Sequence, residues 1–152
     1  MGAAGSLLAA LMVLCPVASL PSALAQDAGS CAKTEFEDVV DGAAAALRDL
    51  NNKNRPEFQE KLRQLKEKRG WDNDQFLKEA APYVKDDQID VFDEKSNDLL
   101  AKISTMGQEG STAQTPDCAM LSELKGQMGV LVETQTAKWS YMFKKLDDEL
   151  AR

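Results

Sequence analysis

Two cysteines, Cys31 and Cys118, remain once the apolar opening of the chain is set aside, and they stand far apart in what is left. Oxidised to one disulfide, they would tie the start of the folded chain to the foot of its last segment, a condition that few topologies meet. The opening itself argues for an oxidising compartment. Leu7 to Cys15 is an apolar run too short to span a bilayer and suited to the core of an export signal. Pro16 and Pro21 interrupt it, and Ala23-Leu24-Ala25 is a small-x-small processing site that predicts cleavage between Ala25 and Gln26. No Lys or Arg precedes the run, so the α-amino group alone supplies its positive end. The alternative, an uncleaved N-terminal anchor, fits the early prolines and the Ala-Leu-Ala site less well. Cys15 is not preceded by the small residue of a lipoprotein signal and is read as part of the removed peptide.

The expected organisation is therefore a signal peptide over residues 1–25 and a single helical domain over 26–152. No Asn-x-Ser/Thr sequon occurs, which favours a bacterial periplasm over a eukaryotic secretory route. No later stretch reaches membrane-spanning length, so no transmembrane segment is expected after signal removal. In that compartment the two remaining cysteines are most simply a structural pair. Closing so long a loop stabilises a fold by about 4–5 kcal/mol on the chain-entropy account. They do not form a Cys-x-x-Cys redox motif; a reactive or regulatory bond is the lesser alternative.

The composition is helical, and the pattern along the chain divides into five helices. Thr34-Glu35-Phe36-Glu37 reads as a capping box, followed by Phe36, Val39, Val40, Ala43, Ala44, Leu47 and Leu50 at helical spacing. Asn51-Asn52-Lys53-Asn54 is expected to end that helix. A second would start with Asn54 as cap and Pro56 in its first turn, carry Phe58, Leu62 and Leu65, and stop at Gly70. A third begins at the Asp72/Gln75 capping box and must end or kink at Pro82. A fourth runs from about Asp86 to Met106, and Gly107 to Thr115 reads as a loop. The last, with Thr115 as cap and Pro116 in its first turn, continues to about Leu150, with Gly126 and Gly129 as points where a neighbour could approach closely. The expected fold is all-α: a disulfide-stapled helical bundle of about five helices with a long C-terminal helix. The disulfide should set the first and last helices parallel.

Function is less legible. A net charge of −7 argues against nucleic-acid or anionic-membrane binding. The chain has no histidine, no Gly-x-Ser-x-Gly, no Ser-x-x-Lys and no phosphate-cradling glycine loop, so no catalytic residue is predicted. No cofactor is expected: haem attachment would need Cys-x-x-Cys-His, which is absent. No metal site is expected either. Asp72-Asn73-Asp74 opens like a calcium loop, but Leu77 stands where that loop needs Gly and Tyr83 where it needs a bidentate Glu. Asp86, Asp90 and Asp93 are exposed carboxylates one turn apart, and Met106, Met120, Met128 and Met142 are scattered rather than arranged as copper ligands.

Two surfaces are candidates for partner binding. Lys53, Arg55, Lys61, Arg63, Lys66, Lys68 and Arg69 outnumber Glu57, Glu60 and Glu67, making a basic segment in which Arg63, Lys66 and Arg69 are the candidate contacts; the segment is otherwise a solvated face. Trp139, Tyr141 and Phe143 sit late on the last helix and would form an exposed aromatic patch if the bundle is shorter than that helix. In size, compartment and cysteine count the chain resembles small periplasmic helical proteins with one disulfide, acid-stress chaperones among them; no residue carries over from that resemblance. The expected function is an exported, non-enzymatic helical protein that binds a protein or cell-envelope component. The alternatives are a periplasmic stress or acid chaperone, whose carboxylates would titrate and loosen the fold, and a small-ligand carrier or His-free helical enzyme with a pocket between the helices.

Overall fold

A computed structural model describes residues 31–152, so the expected signal peptide and the Ala25–Gln26 cleavage point lie outside the described residues. The described chain is helical throughout, with three long helices and two short ones: α1 (Lys33–Arg69), α2 (Asn73–Glu79), α3 (Ala81–Val84), α4 (Asp87–Thr112) and α5 (Cys118–Ala151). The all-α bundle with a long C-terminal helix is thus present, but its boundaries differ from the expected ones in instructive ways.

The two helices expected over 34–50 and 54–70 are one helix of 37 residues, on the order of 55 Å long at 1.5 Å per residue. It starts at Lys33, not after Thr34, because the Glu35 carboxylate reaches back to accept from the Ala32 N–H at 2.9 Å. Asn54 is not a cap; its side-chain amide donates to the Leu50 carbonyl within the helix at 2.8 Å. Pro56 lies inside the helix, where the missing N–H and the ring together cost about 3 kcal/mol. Continuous burial on either side, from Phe36 and Ala43 to Phe58 and Leu65, offsets that cost. Gly70 ends the helix as expected, with φ 64° and its N–H turned back on the last carbonyls.

The Asp72/Gln75 box is formed in both directions, at 2.8 and 3.0 Å; α2 ends at Glu79, three residues before Pro82, which sits in the first turn of α3. α4 begins after the cap Asp86 but does not stop at Met106. It continues through Gly107 and Gly110 to Thr112, because both glycines are buried against α1 and their lack of a side chain admits it. The expected loop shrinks to residues 113–117. α5 is capped by Asp117, whose carboxylate accepts from the Ala119 N–H at 2.8 Å, so Thr115 and Pro116 precede the helix. Gly126 and Gly129 do not serve close approach: a β-carbon on either would meet nothing within 4 Å.

The cysteines are joined, 87 residues apart in sequence with Cα atoms 5.3 Å apart. α1 and α5 then run parallel from that clasp to their far ends. Partners across the pair keep nearly constant separation in sequence: Asn51 with Trp139 (88), Lys61 with Asp147 (86), Lys68 with Leu150 (82) and Arg69 with Glu149 (80). α4 returns antiparallel to α5, because separations fall along it from 59 for Asp86–Lys145 to 45 for Asp93–Lys138 and 39 for Ser96–Gln135. α2 and α3 turn the chain at the end remote from the disulfide.

The core divides in two. Near the disulfide, Phe36, Ala43, Leu99, Ile103, Leu121, Leu124, Met128 and Leu131 are buried together. At the other end Phe58, Leu65, Ile89, Met142 and Leu146 are buried, with Trp71, Tyr83, Trp139, Tyr141 and Phe143 packed around them. Between the clusters lie polar groups that satisfy one another: Gln135 donates to the Ser96 hydroxyl at 2.7 Å, and Ser96 donates to the Phe92 carbonyl at 2.7 Å. The buried Thr134 hydroxyl likewise donates to the Val130 carbonyl at 2.7 Å.

Candidate functional site

The three aromatic candidates on α5 lie beside neighbouring helices, Trp139 and Phe143 against α1 and Tyr141 against α4. Trp139, Tyr141 and Phe143 are each half-buried. Phe58 of α1, itself buried, stands edge-on to Trp139 and to Phe143 with ring centroids 5.7 and 5.6 Å away. The Trp139 indole N–H donates to Asn51 at 3.3 Å. Tyr141 turns to the other side of α5, where its ring meets Phe92 at 6.2 Å and its hydroxyl donates to Asp86 at 3.0 Å. These side chains therefore spend much of their apolar surface within the molecule.

Asp86 is the centre of a second cluster that sequence reasoning did not assemble. One carboxylate oxygen caps α4 by accepting from the Ile89 N–H at 2.8 Å; the other takes the Tyr141 hydroxyl and the Lys145 ammonium. Lys145 also donates to the Pro82 carbonyl and lies 5.9 Å from the Tyr83 ring centroid and 5.4 Å from that of Tyr141. One lysine thus pins the α3–α4 turn onto α5. The Lys145 hydrogen bond is the main cause that lowers the Asp86 carboxyl from 3.8 to about 2, with partial burial acting against it. The same carboxylate raises the Tyr141 hydroxyl, and burial raises that of Tyr83.

The basic candidates do not converge. Arg63 pairs with Glu60 on its own helix and lines a shallow groove of about 410 Å³ with Gln59, Leu62 and Phe76. Lys66 donates to Asn73 at 2.6 Å, with its ammonium 5.5 Å from the Phe76 ring centroid. Arg69 pairs with Glu149 of α5 at 2.6 Å. Lys61 joins Asp147 at 2.6 Å, and Lys68 donates to the Leu150 carbonyl near the end of α5, where a cation suits the helix dipole. The acidic start of α4 makes no ion pair with this basic segment among the described residues; its Asp86 and Asp93 are matched by Lys145 and Lys138 of α5. Opposite faces of α5 thus pair with part of each charged segment, Asp147 and Glu149 with Lys61 and Arg69, and Lys138 and Lys145 with Asp93 and Asp86.

The surface near the disulfide is different. α4 and α5 leave a groove of about 610 Å³ between them, lined by Lys102, Thr105, Met106 and Glu109 of α4 and by Asp117, Ala119, Met120 and Glu123 at the start of α5. Met106 and Met120 are half-buried and pack against the disulfide-side core. Met128 and Met142, by contrast, are buried inside the two core clusters. Among the described residues no ion pair involves Glu109 or Glu123. The sequence held one signal of this groove: Met120 falls off the Leu121–Leu124–Met128 stripe, so an apolar side chain stands beside the buried face rather than on it.

Among the described residues no three or more Cys, Asp or Glu side chains gather as a metal-binding group, and no helix is long and apolar enough to cross a membrane. No protein-family model, curated protein or solved structure matches the chain.

Proposed function

We propose that the protein is an exported, periplasmic binding module without catalytic activity, which engages a protein of the cell envelope through the disulfide end of its bundle. The observation that carries this reading is the open groove floored by Met106 and Met120 beside the Cys31–Cys118 clasp. Methionine floors suit recognition surfaces because an unbranched, polarisable side chain adapts to different apolar partners. The clasp holds the first turn of α5 in place, so the groove exists before a partner arrives and little ordering cost attaches to binding. The aromatic end, whose rings pack on one another and where Asp86, Asp93, Asp147 and Glu149 are paired, is assigned the structural role.

A photoreactive residue placed at exposed Ala119, and another at exposed Lys144 at the far end of α5, test the assignment in cells that export the protein. Adducts with an envelope protein at position 119 and none at 144 are expected. Equal yields at both positions, or adducts at 144 alone, would remove the basis for the reading.

The stress-chaperone reading stands second. It needs the aromatic half to open in acid, and a carboxyl lowered to about 2 at Asp86 keeps that latch charged until the medium is strongly acidic.

A further inference from the structure

We infer that the Met106/Met120 groove receives a basic, amphipathic segment of a partner protein, an inference that rests on the binding-module reading and names the partner's chemistry. Its floor is apolar, and its rim carries Glu109, Asp117 and Glu123 against Lys102 alone. At the aromatic end, Asp86, Asp93, Asp147 and Glu149 each have a lysine or arginine of this chain as partner, whereas the exposed Asp87, Asp90, Glu94 and Asp98, away from this apolar groove, have none among the described residues. Glu109 and Glu123 have none among the described residues, and both are exposed. Two carboxylates left uncompensated on either side of an apolar floor select a ligand with cations flanking apolar side chains.

The dimensions agree with a short segment. Lys102 to Glu109 spans about two helical turns, roughly 10 Å, and Asp117 to Glu123 spans nearly the same on the facing helix. That length and the groove's 610 Å³ suit a few side chains of an extended strand or of one helix face. An anionic membrane surface is the wrong sign for this rim. The overall charge of −7 adds long-range attraction for a cationic partner.

The test is a titration of the disulfide-bonded protein, read by amide chemical shifts and by calorimetry, with three probes: a Leu/Lys amphipathic peptide, its Leu/Glu counterpart, and vesicles of anionic phospholipid. The Leu/Lys peptide is expected to shift amides over residues 102–109 and 117–123 and to bind less tightly as salt is raised. The Glu109→Lys/Glu123→Lys pair should weaken it about tenfold or more. Glu94→Lys/Asp98→Lys, with the same change in net charge at exposed sites elsewhere on α4, should leave it within about twofold; matched circular dichroism shows that both variants fold.

Equal loss in the two variants would reduce the effect to net charge and overturn the inference. Equal binding of the Leu/Glu peptide would overturn the partner class while leaving a binding groove in place, which separates this failure from that of the module reading. Vesicle binding through the same amides would make the occupant a lipid surface. Concentration-dependent shifts of these amides without any probe would make it a second copy. Peptide binding that appears only after removal of residues 26–30 would make it the chain's own leading segment. Each of these three results defeats the inference.

Discussion

The ring of Phe36 occupies the volume in which a β-carbon on Gly110 would stand. Phe36 is fully buried and belongs to the disulfide-side core, so displacing the ring would disturb that packing. This contact turns what reads as a loop into the last turns of α4, since only a bare backbone lets α1 and α4 meet at that height.

Gly110→Ala is therefore expected to destabilise the protein by about 1–3 kcal/mol, the usual cost of overpacking, despite the gain of up to about 1 kcal/mol in helix propensity. Gly107→Ala should be milder, because its β-carbon would come 2.9 Å from one methyl group of the half-buried Val40. Gly126→Ala and Gly129→Ala meet open space and should each stabilise by up to about 1 kcal/mol. Urea unfolding of the four variants checks the order; a stabilised Gly110→Ala protein contradicts the packing described here.

The disulfide and the far-end ion pairs hold α1 against α5 by different means. Replacing both Cys31 and Cys118 with Ser should cost at least about 2 kcal/mol, up to about 5 kcal/mol if the whole loop entropy is recovered. The loss should be local at first. Amide exchange over residues 36–47 and 121–128 should quicken before that over 58–65 and 142–146, because the second core cluster keeps its aromatic contacts. Uniform loss of protection would show the two clusters to be one cooperative unit.

Asp86 supplies a pH dependence of known sign. Its folded carboxyl is lowered from 3.8 to about 2, so the folded state binds the proton less readily than the unfolded chain. The stabilisation it contributes is present above about pH 4 and is lost as the pH falls through about 2. Asp86→Asn keeps an acceptor for the Ile89 N–H and removes the charge facing Lys145. The melting temperature of the native protein should exceed that of the variant at neutral pH, and the gap should close between about pH 4 and 2. A gap constant over that range would mean that the charge contributes nothing.

Patterns that repeat within one helix were readable before the structure; relations between helices were not. Phe36, Val39, Val40 and Ala43 announce an apolar face whatever packs on it, and Asp72 with Gln75 announces a cap by local hydrogen bonding alone. Pro56 misleads because a proline's cost is local while the burial of Phe58 and Leu65 that outweighs it comes from α5. Gly107 and Gly110 mislead for the same reason, since their partners Val40 and Phe36 lie far away in sequence. The basic segment could be counted from the sequence, yet the pairing of its Lys61 and Arg69 with Asp147 and Glu149 depends on the parallel arrangement of α1 and α5. The Met106/Met120 groove is a product of helix pairing and has no local signature beyond one methionine off the stripe.

The polar groups between the two core clusters offer a last test of what sets that register. Ser96 is buried, accepts from the half-buried Gln135 amide and donates to the Phe92 carbonyl, so the pair joins α4 to α5 at one height only. Ser96→Ala alone should cost about 1–3 kcal/mol, because it strips the Gln135 amide of its acceptor in a partly buried position. Adding Gln135→Leu removes the stranded amide and extends the apolar core across the gap, so the double variant should recover most of that loss or exceed the native stability. The two changes should therefore be non-additive by about 0.5–3 kcal/mol in a double-mutant cycle followed by urea unfolding. Additive costs would mean that the hydrogen bond between Gln135 and Ser96 does not couple the helices, and that the apolar clusters alone fix how α4 lies against α5.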